Sequence, residues 1–235
     1  MPVSRTTSFS ESSSIPTYGH PFGKLKRDDM SEECQREHWE LHKTQCKLTE
    51  KQRRSCEGDE ILTRMNNELF KWTAKHHPTI SKTVIDALEV HDRPRTEDDE
   101  LVLVFLSYEP RTPMIEKRFK VMSAGRASFD SILKLSTNPV LAELPRQRRL
   151  MEADHLRKNR NVGVAFCLLV CMMPGAREGR STSTSSSPSS SSLHRIVPIT
   201  FQKELTPSEK EVFRRKRNPN WLSFLVDTTD KGIVF

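Results

Sequence analysis

Two cysteines and two histidines stand at steps of four in the stretch CQREHWELHKTQC: Cys34, His38, His42 and Cys46. Thiolate and imidazole are donors that a tetrahedral Zn2+ takes readily. On a helix, residues four apart face the same way at about 6 Å, so His42 and Cys46 are spaced to grip one ion from one side. The four together cannot share an ion. From Cys34 to Cys46 is twelve residues, about 18 Å of helix, whereas zinc ligands sit about 2.0–2.3 Å from the metal. Trp39 precedes His42 by three residues and is expected to pack beneath the pair.

Cys34-Gln35, Trp39, His42 and Cys46 follow the pattern C-Q-x3-W-x2-H-x3-C. This run, from Ser31 to Cys46, resembles the second half of a MYND-type zinc finger. The resemblance implies two zinc sites with interleaved ligands, seven cysteines and one histidine in all. It makes Cys34 the sixth ligand, His42 the seventh and Cys46 the eighth. Met30 occupies the place of the fifth, and residues 1–33 contain no cysteine. One site thus keeps a single ligand and the other keeps two. A structural zinc site needs four, and its metal affinity is its folding energy. His20, His38 and Cys56 are further donors, but none has the family's spacing. Zinc is therefore the nominal metal, with His42, Cys46 and then Cys34 its ligands, and a complete site is not expected. The abrupt break before Ser31 suggests an alternative first exon or a misjoined gene model.

These residues sit among elements the sequence also sketches. Residues 1–28 are Ser/Thr-rich and read as disordered. The finger-like segment takes 29–46 and a helical region 47–97. There Ile61, Met65, Leu69 and Trp72 mark one amphipathic helix, and Thr79–Val90 a second beyond Pro78. His76-His77 are expected at the exposed end of the first. Residues 98–235 read as an α+β domain. LVLVFLSY (101–108) and KRFKVMS (117–123) form a hairpin, and helical pieces follow at 128–135 and 138–156, interrupted at Pro145. VGVAFCLLVCMM reads as a buried strand with Cys167 and Cys171 on one face, as structural thiols rather than metal ligands. It pairs with LHRIVPITF across a disordered Ser-rich loop, 175–193, which costs little because closure entropy grows only as the logarithm of length. Thr206 caps a last helix, with Pro207 in its first turn and Glu209 completing a capping box; Asn218-Pro219 ends it. Trp221, Leu222, Phe224 and Leu225 are then expected to pack on the sheet. The predicted fold class is α+β, a helical N-terminal half followed by a small mixed sheet with flanking helices.

Composition narrows the function. Lysine and arginine outnumber acids by 38 to 31, for a net charge of +7. Five cysteines, an odd number, do not suggest a disulfide framework. The N-terminus has no secretory h-region, and the longest apolar run has twelve residues where a spanning helix needs about 20. A nuclear or cytoplasmic protein without a membrane partner is expected. No G-x-G-x-x-G, G-x-x-x-x-G-K-[ST], H-E-x-x-H or G-x-S-x-G occurs, so an enzyme is not expected. MYND fingers mostly bind short peptides, and the resemblance implies a non-catalytic, regulatory protein with a protein or peptide partner. Two alternatives stand beside it. One is the remnant of a SET-MYND-like methyltransferase, although no N-H-S-C-like stretch is present. The other is nucleic-acid binding through the basic patch Arg214, Arg215, Lys216 and Arg217, which also suits its own helix C-terminus.

Overall fold

The structure is a computed structural model that describes residues 50, 53–54, 56–93, 96–135, 139–158, 160–172 and 192–234. The finger-like segment, the N-terminal 28 residues and most of the Ser-rich loop lie outside them.

The first long element begins where Gly58, at φ +87°, turns the chain and the Asp59 carboxylate accepts the Leu62 N–H at 2.9 Å. That bond satisfies one of the orphan donors of a helix start. Helix α1 then runs unbroken over Glu60–Leu88. The two helices read from the sequence are therefore one. Pro78 does not end it because Pro78 and Ala74 both lie on the exposed side. The N–H that proline lacks would have met the Ala74 carbonyl, and water can take its place there. The buried face is Leu62, Met65, Leu69, Trp72, Ile80, Val84 and Leu88; Ile61, assigned to it from the sequence, is 57% exposed.

A single turn, α2 (Thr96–Asp99), leads into β1 (Glu100–Tyr108), and a ten-residue connection containing a 3-10 turn at Ile115–Lys117 returns the chain as β2 (Phe119–Ser128). Three helices follow: α3 (Phe129–Leu135), α4 (Pro139–Ala142) and α5 (Leu144–Arg157). They carry the chain over one face of the sheet to β3 (Val162–Met172), which lies parallel to β1, with Val102 opposite Cys167. β4 (Ser192–Gln202) pairs antiparallel with β3, so the order is β2-β1-β3-β4. The sheet is mixed because each hairpin is antiparallel while their junction is a crossover. Helix α6 (Pro207–Lys216) and helix α7 (Trp221–Lys231) complete the chain. The capping box of α6 is formed, with Thr206 and Glu209 exchanging bonds, and Arg217 is its C-cap. The expected α+β class, with helices before and beside a mixed sheet, is what the chain adopts.

Both faces of the sheet are covered. On one, Val104, Leu106, Tyr108, Cys167, Leu169 and Ile199 meet α1, with Leu225 of α7. On the other, Leu101, Val164, Phe166 and Leu168 meet Phe129, Ile132, Leu141 and Leu144 of α3–α5. This double burial explains why β3 is one continuous apolar run rather than an alternating one. Trp221 to Leu225, expected as a cluster on the sheet, begin α7, which packs on β2 and on α1 through Leu225, while Leu222 stays exposed. Gly163 faces Phe201 across β3 and β4, and a methyl at Gly163 would overlap that ring. Among the described residues no helix is long and apolar enough to cross a membrane.

Candidate functional site

Cys34, His42, Cys46, Trp39 and Met30 lie outside the described residues, as do His20 and His38. The other donors singled out in the sequence are buried. Cys167 and Cys171 lie on the α1 side of β3, and Cys171 donates to the Met65 sulfur at 3.7 Å. Burial pushes the Cys167 thiol up and the Cys171 thiol up to about 12, as in a neutral packed thiol. Cys56 is buried as well. Among the described residues no three His, Cys, Asp or Glu side chains gather to hold an ion.

His76 departs from its expected place. It is fully buried, and its Nε2 meets the Glu116 carbonyl at 3.0 Å, which also accepts the Trp72 indole N–H at 3.0 Å. A carbonyl only accepts, so Nε2 carries the proton and Nδ1 is left as an acceptor without a partner among the described residues. Burial holds the pKa of the ring below its ordinary value, against the Glu116 carbonyl and carboxylate. The basic patch divides. Arg214 Nε donates to Asp92 at 2.7 Å, and Arg217 pairs with Glu89 and, at 3.5 Å, with Asp92. Arg215 pairs with Glu211 along its own helix. The Lys216 carbonyl accepts from Lys82 at 3.2 Å. Half of the patch thus fastens α6 to the end of α1.

The sequence reading did not single out the cavity at the end of the sheet where β1 and β3 begin. It holds about 250 Å3, lined by Arg149, Glu152, Ala153 and Leu156 of α5, Arg160, Asn161 and Val162 at the start of β3, and Lys203 after β4. Its geometry follows from the register. Val102 is the first β1 residue paired with β3, opposite Cys167, so Val164 lies beyond that ladder. Glu152 fills the gap: its carboxylate accepts the Val164 N–H and the Lys203 ammonium, each at 3.1 Å. Asp154 likewise draws Lys158 at 2.7 Å and Arg157 at 3.8 Å to itself. Arg149 and Arg160 are exposed and enter no ion pair among the described residues.

Gln147 and Arg148, just before Arg149 on α5, belong to a second polar group with α2. Glu97 is buried, Arg148 pairs with Asp98, and Glu97 Oε2, Gln147 Nε2 and Arg148 Nε lack hydrogen-bond partners among the described residues. Burial raises the Glu97 carboxyl, Asp98 adds to the rise, and a backbone bond, Lys203 and Arg148 oppose it. A raised carboxyl beside a cleft is the usual mark of acid–base chemistry. Glu97, however, is not on the cavity wall, and the carboxylate that is, Glu152, is committed to two donors. The wall offers two guanidinium forks with spare donors, which suits holding an anion.

No family model, curated protein or solved structure matches the chain. The cavity therefore rests on its own geometry. A signal for it does exist in the sequence: Arg149, Ala153, Leu156 and Arg160 recur at steps of four, three and four, one face of a helix and its extension. Lys203 comes from more than forty residues further on and carries no such signal.

Proposed function

We propose that this is a non-catalytic, regulatory protein that binds a protein or peptide partner, working in the nucleus or cytoplasm. The observation that carries this reading is the cavity wall: Arg149 and Arg160, without an ion pair among the described residues, beside exposed Leu156, with the one carboxylate on the described wall already bonded twice. Such a wall recognises rather than reacts, because it has binding donors but no group free to move a proton. The finger-like segment 31–46 fits the same role as the remnant of a peptide-binding module. His42, Cys46 and Cys34 do not make up a tetrahedral donor set for either zinc, so no part of the proposed role passes through a metal. Nucleic-acid binding through the basic patch is disfavoured by the engagement of Arg214 and Arg217 with Asp92 and Glu89.

Two measurements test the reading. The purified full chain, offered S-adenosylmethionine and histone peptides, is expected to transfer no methyl groups, while an array of short peptides of varied charge is expected to retain it on a subset. Methyl transfer, or an array with no retained spot, overturns the proposal. Native mass spectrometry with added zinc is expected to show no stoichiometric ion, and a tightly held Zn2+ would reverse the reading of the half-finger.

A further inference from the structure

The geometry points to an acidic peptide segment as the occupant of the cavity: we propose that Arg149 and Arg160 grip its carboxylates while an adjoining apolar side chain lies on Ala153, Leu156 and Val162. This deepens the protein-binding reading and rests on it. Three observations select this partner. The first is charge. The end of α5 and its surroundings carry Arg149, Arg157, Lys158, Arg160 and Lys203 against Glu152 and Asp154, and the two arginines on the wall are the ones without an ion pair among the described residues. A guanidinium presents two parallel N–H groups at the spacing of a carboxylate's oxygens.

The second is size. At about 250 Å3 the cavity falls short of the roughly 300–1,000 Å3 of a site that engulfs a small molecule. It accommodates one or two side chains of something that continues outside it. The third is the apolar rim. Leu156 is 67% exposed, the most exposed of the large apolar side chains in the structure, and it stands beside the two charges. Single-stranded nucleic acid is a poorer match, because its sites stack bases on aromatic rings and none lines this wall.

The test is fluorescence anisotropy on the full chain with three labelled probes: a short peptide of Asp, Glu, Leu and Gly, the same peptide with Lys replacing its acids, and a single-stranded oligonucleotide. The acidic peptide is expected to bind best. Arg149→Glu with Arg160→Glu should weaken it by about tenfold or more, and Leu156→Ser by several-fold, as central anchors do. Both arginines are exposed, so the pair should leave thermal unfolding unchanged. If the charge reversal unfolds the protein, Arg149→Gln with Arg160→Gln removes the forks without adding acid and should weaken binding in the same direction. Equal binding of the Lys peptide, or acidic-peptide binding indifferent to the arginine variants, overturns the acidic partner while leaving peptide binding in place. Preference for the oligonucleotide, or no binding to any probe, overturns the inference and counts against the protein-binding reading too.

Discussion

The two ends of α1 use similar ion pairs under different burial. Near its start, the buried Glu68 carboxylate accepts from Tyr108 at 2.7 Å, from Arg118, and from the exposed Arg64 at 3.0 Å. At its end, Glu89 and Asp92 hold Arg217 and Arg214 of α6, with the carboxylates partly covered and Arg214 exposed. The first cluster is closed: burial works against the Glu68 anion, but its three donors prevail and hold its pKa below the ordinary value. The same contact, with burial, pushes the Tyr108 hydroxyl up to about 12. The second is open, and α6 buries no side chain at all. Position along one helix thus decides whether a charge is locked into the core or acts as a latch, because desolvation magnifies both the gain from pairing and the loss on removing one partner.

Removing one partner at the closed end is expected to cost most. Glu68→Ala leaves the Tyr108 hydroxyl and the Arg118 guanidinium without their acceptor. Breaking a buried pair in this way costs about 3 kcal/mol or more. Chemical denaturation of the variant should show it as a lower midpoint with an unchanged slope. A loss within the surface range would break the comparison, since the cluster would then be no more demanding than the latch.

Acid should reach the closed region through His76. Its folded pKa lies below the ordinary 6.5 because it is buried, so the unfolded chain binds the extra proton. The stability that neutral His76 provides is present above that value and is lost as pH falls through it toward the folded pKa. Lys75 and Glu116 face the ring with opposite effects. His91, His155 and His194 are shifted in the same direction by burial, so His76→Gln should flatten the loss between neutral pH and pH 5 only in part. Asp92 is held low chiefly by Arg214, and like Glu68 it contributes above the ordinary carboxylate range and fails only at lower pH. Midpoints measured across pH would separate the two windows, and an unaltered slope in His76→Gln would remove His76 from the account.

Much of this architecture is written in the chain, and the exceptions have physical causes. The strands show because β1 and β3 are apolar runs, and the start of α6 shows because a capping box is local. The continuity of α1 does not, because proline's cost depends on which side of the helix it faces, and that is fixed only by packing. His76 was misplaced for a related reason: a polar residue is drawn inside when a carbonyl 40 residues away is there to receive it. The latch was legible as a run of positive charge but not as a latch, since Asp92 lies 122 residues before Arg214. The cavity was least legible, because its arginines gain meaning only when the β3–β4 pairing brings Lys203 beside Glu152 of their own helix.

At the open end the effects should be small and sensitive to salt. Arg217→Ala is expected to cost about 0.5–1 kcal/mol at low ionic strength and less as salt screens the pair. Hydrogen exchange is the sharper measurement: amides of α6 should lose protection in the variant while those of β3 do not.

The smallest expected effect isolates the latch from the backbone that carries it. Glu89 follows α1 at φ 53°, the only non-glycine residue with positive φ among those described. Glycine adopts that conformation without the clash between Cβ and carbonyl that costs other residues about 1 kcal/mol. Glu89→Gly therefore gains backbone ease and loses the contact with Arg217, and the two terms oppose each other. In an Arg217→Ala background that contact is already gone, so the gain is opposed only by loss of the 4.0 Å pair between Glu89 and Arg93, which is common to both backgrounds. Glu89→Gly should then stabilise the Arg217→Ala protein more than it stabilises the wild type, by the few tenths of a kcal/mol that an exposed pair is worth. If the substitution has the same effect in both backgrounds, Glu89 and Arg217 are uncoupled, and α6 is held instead by Arg214 and Arg217 with Asp92, by Lys82 on the Lys216 carbonyl and by the ring contact between His91 and Phe213, whose centroids are 4.6 Å apart.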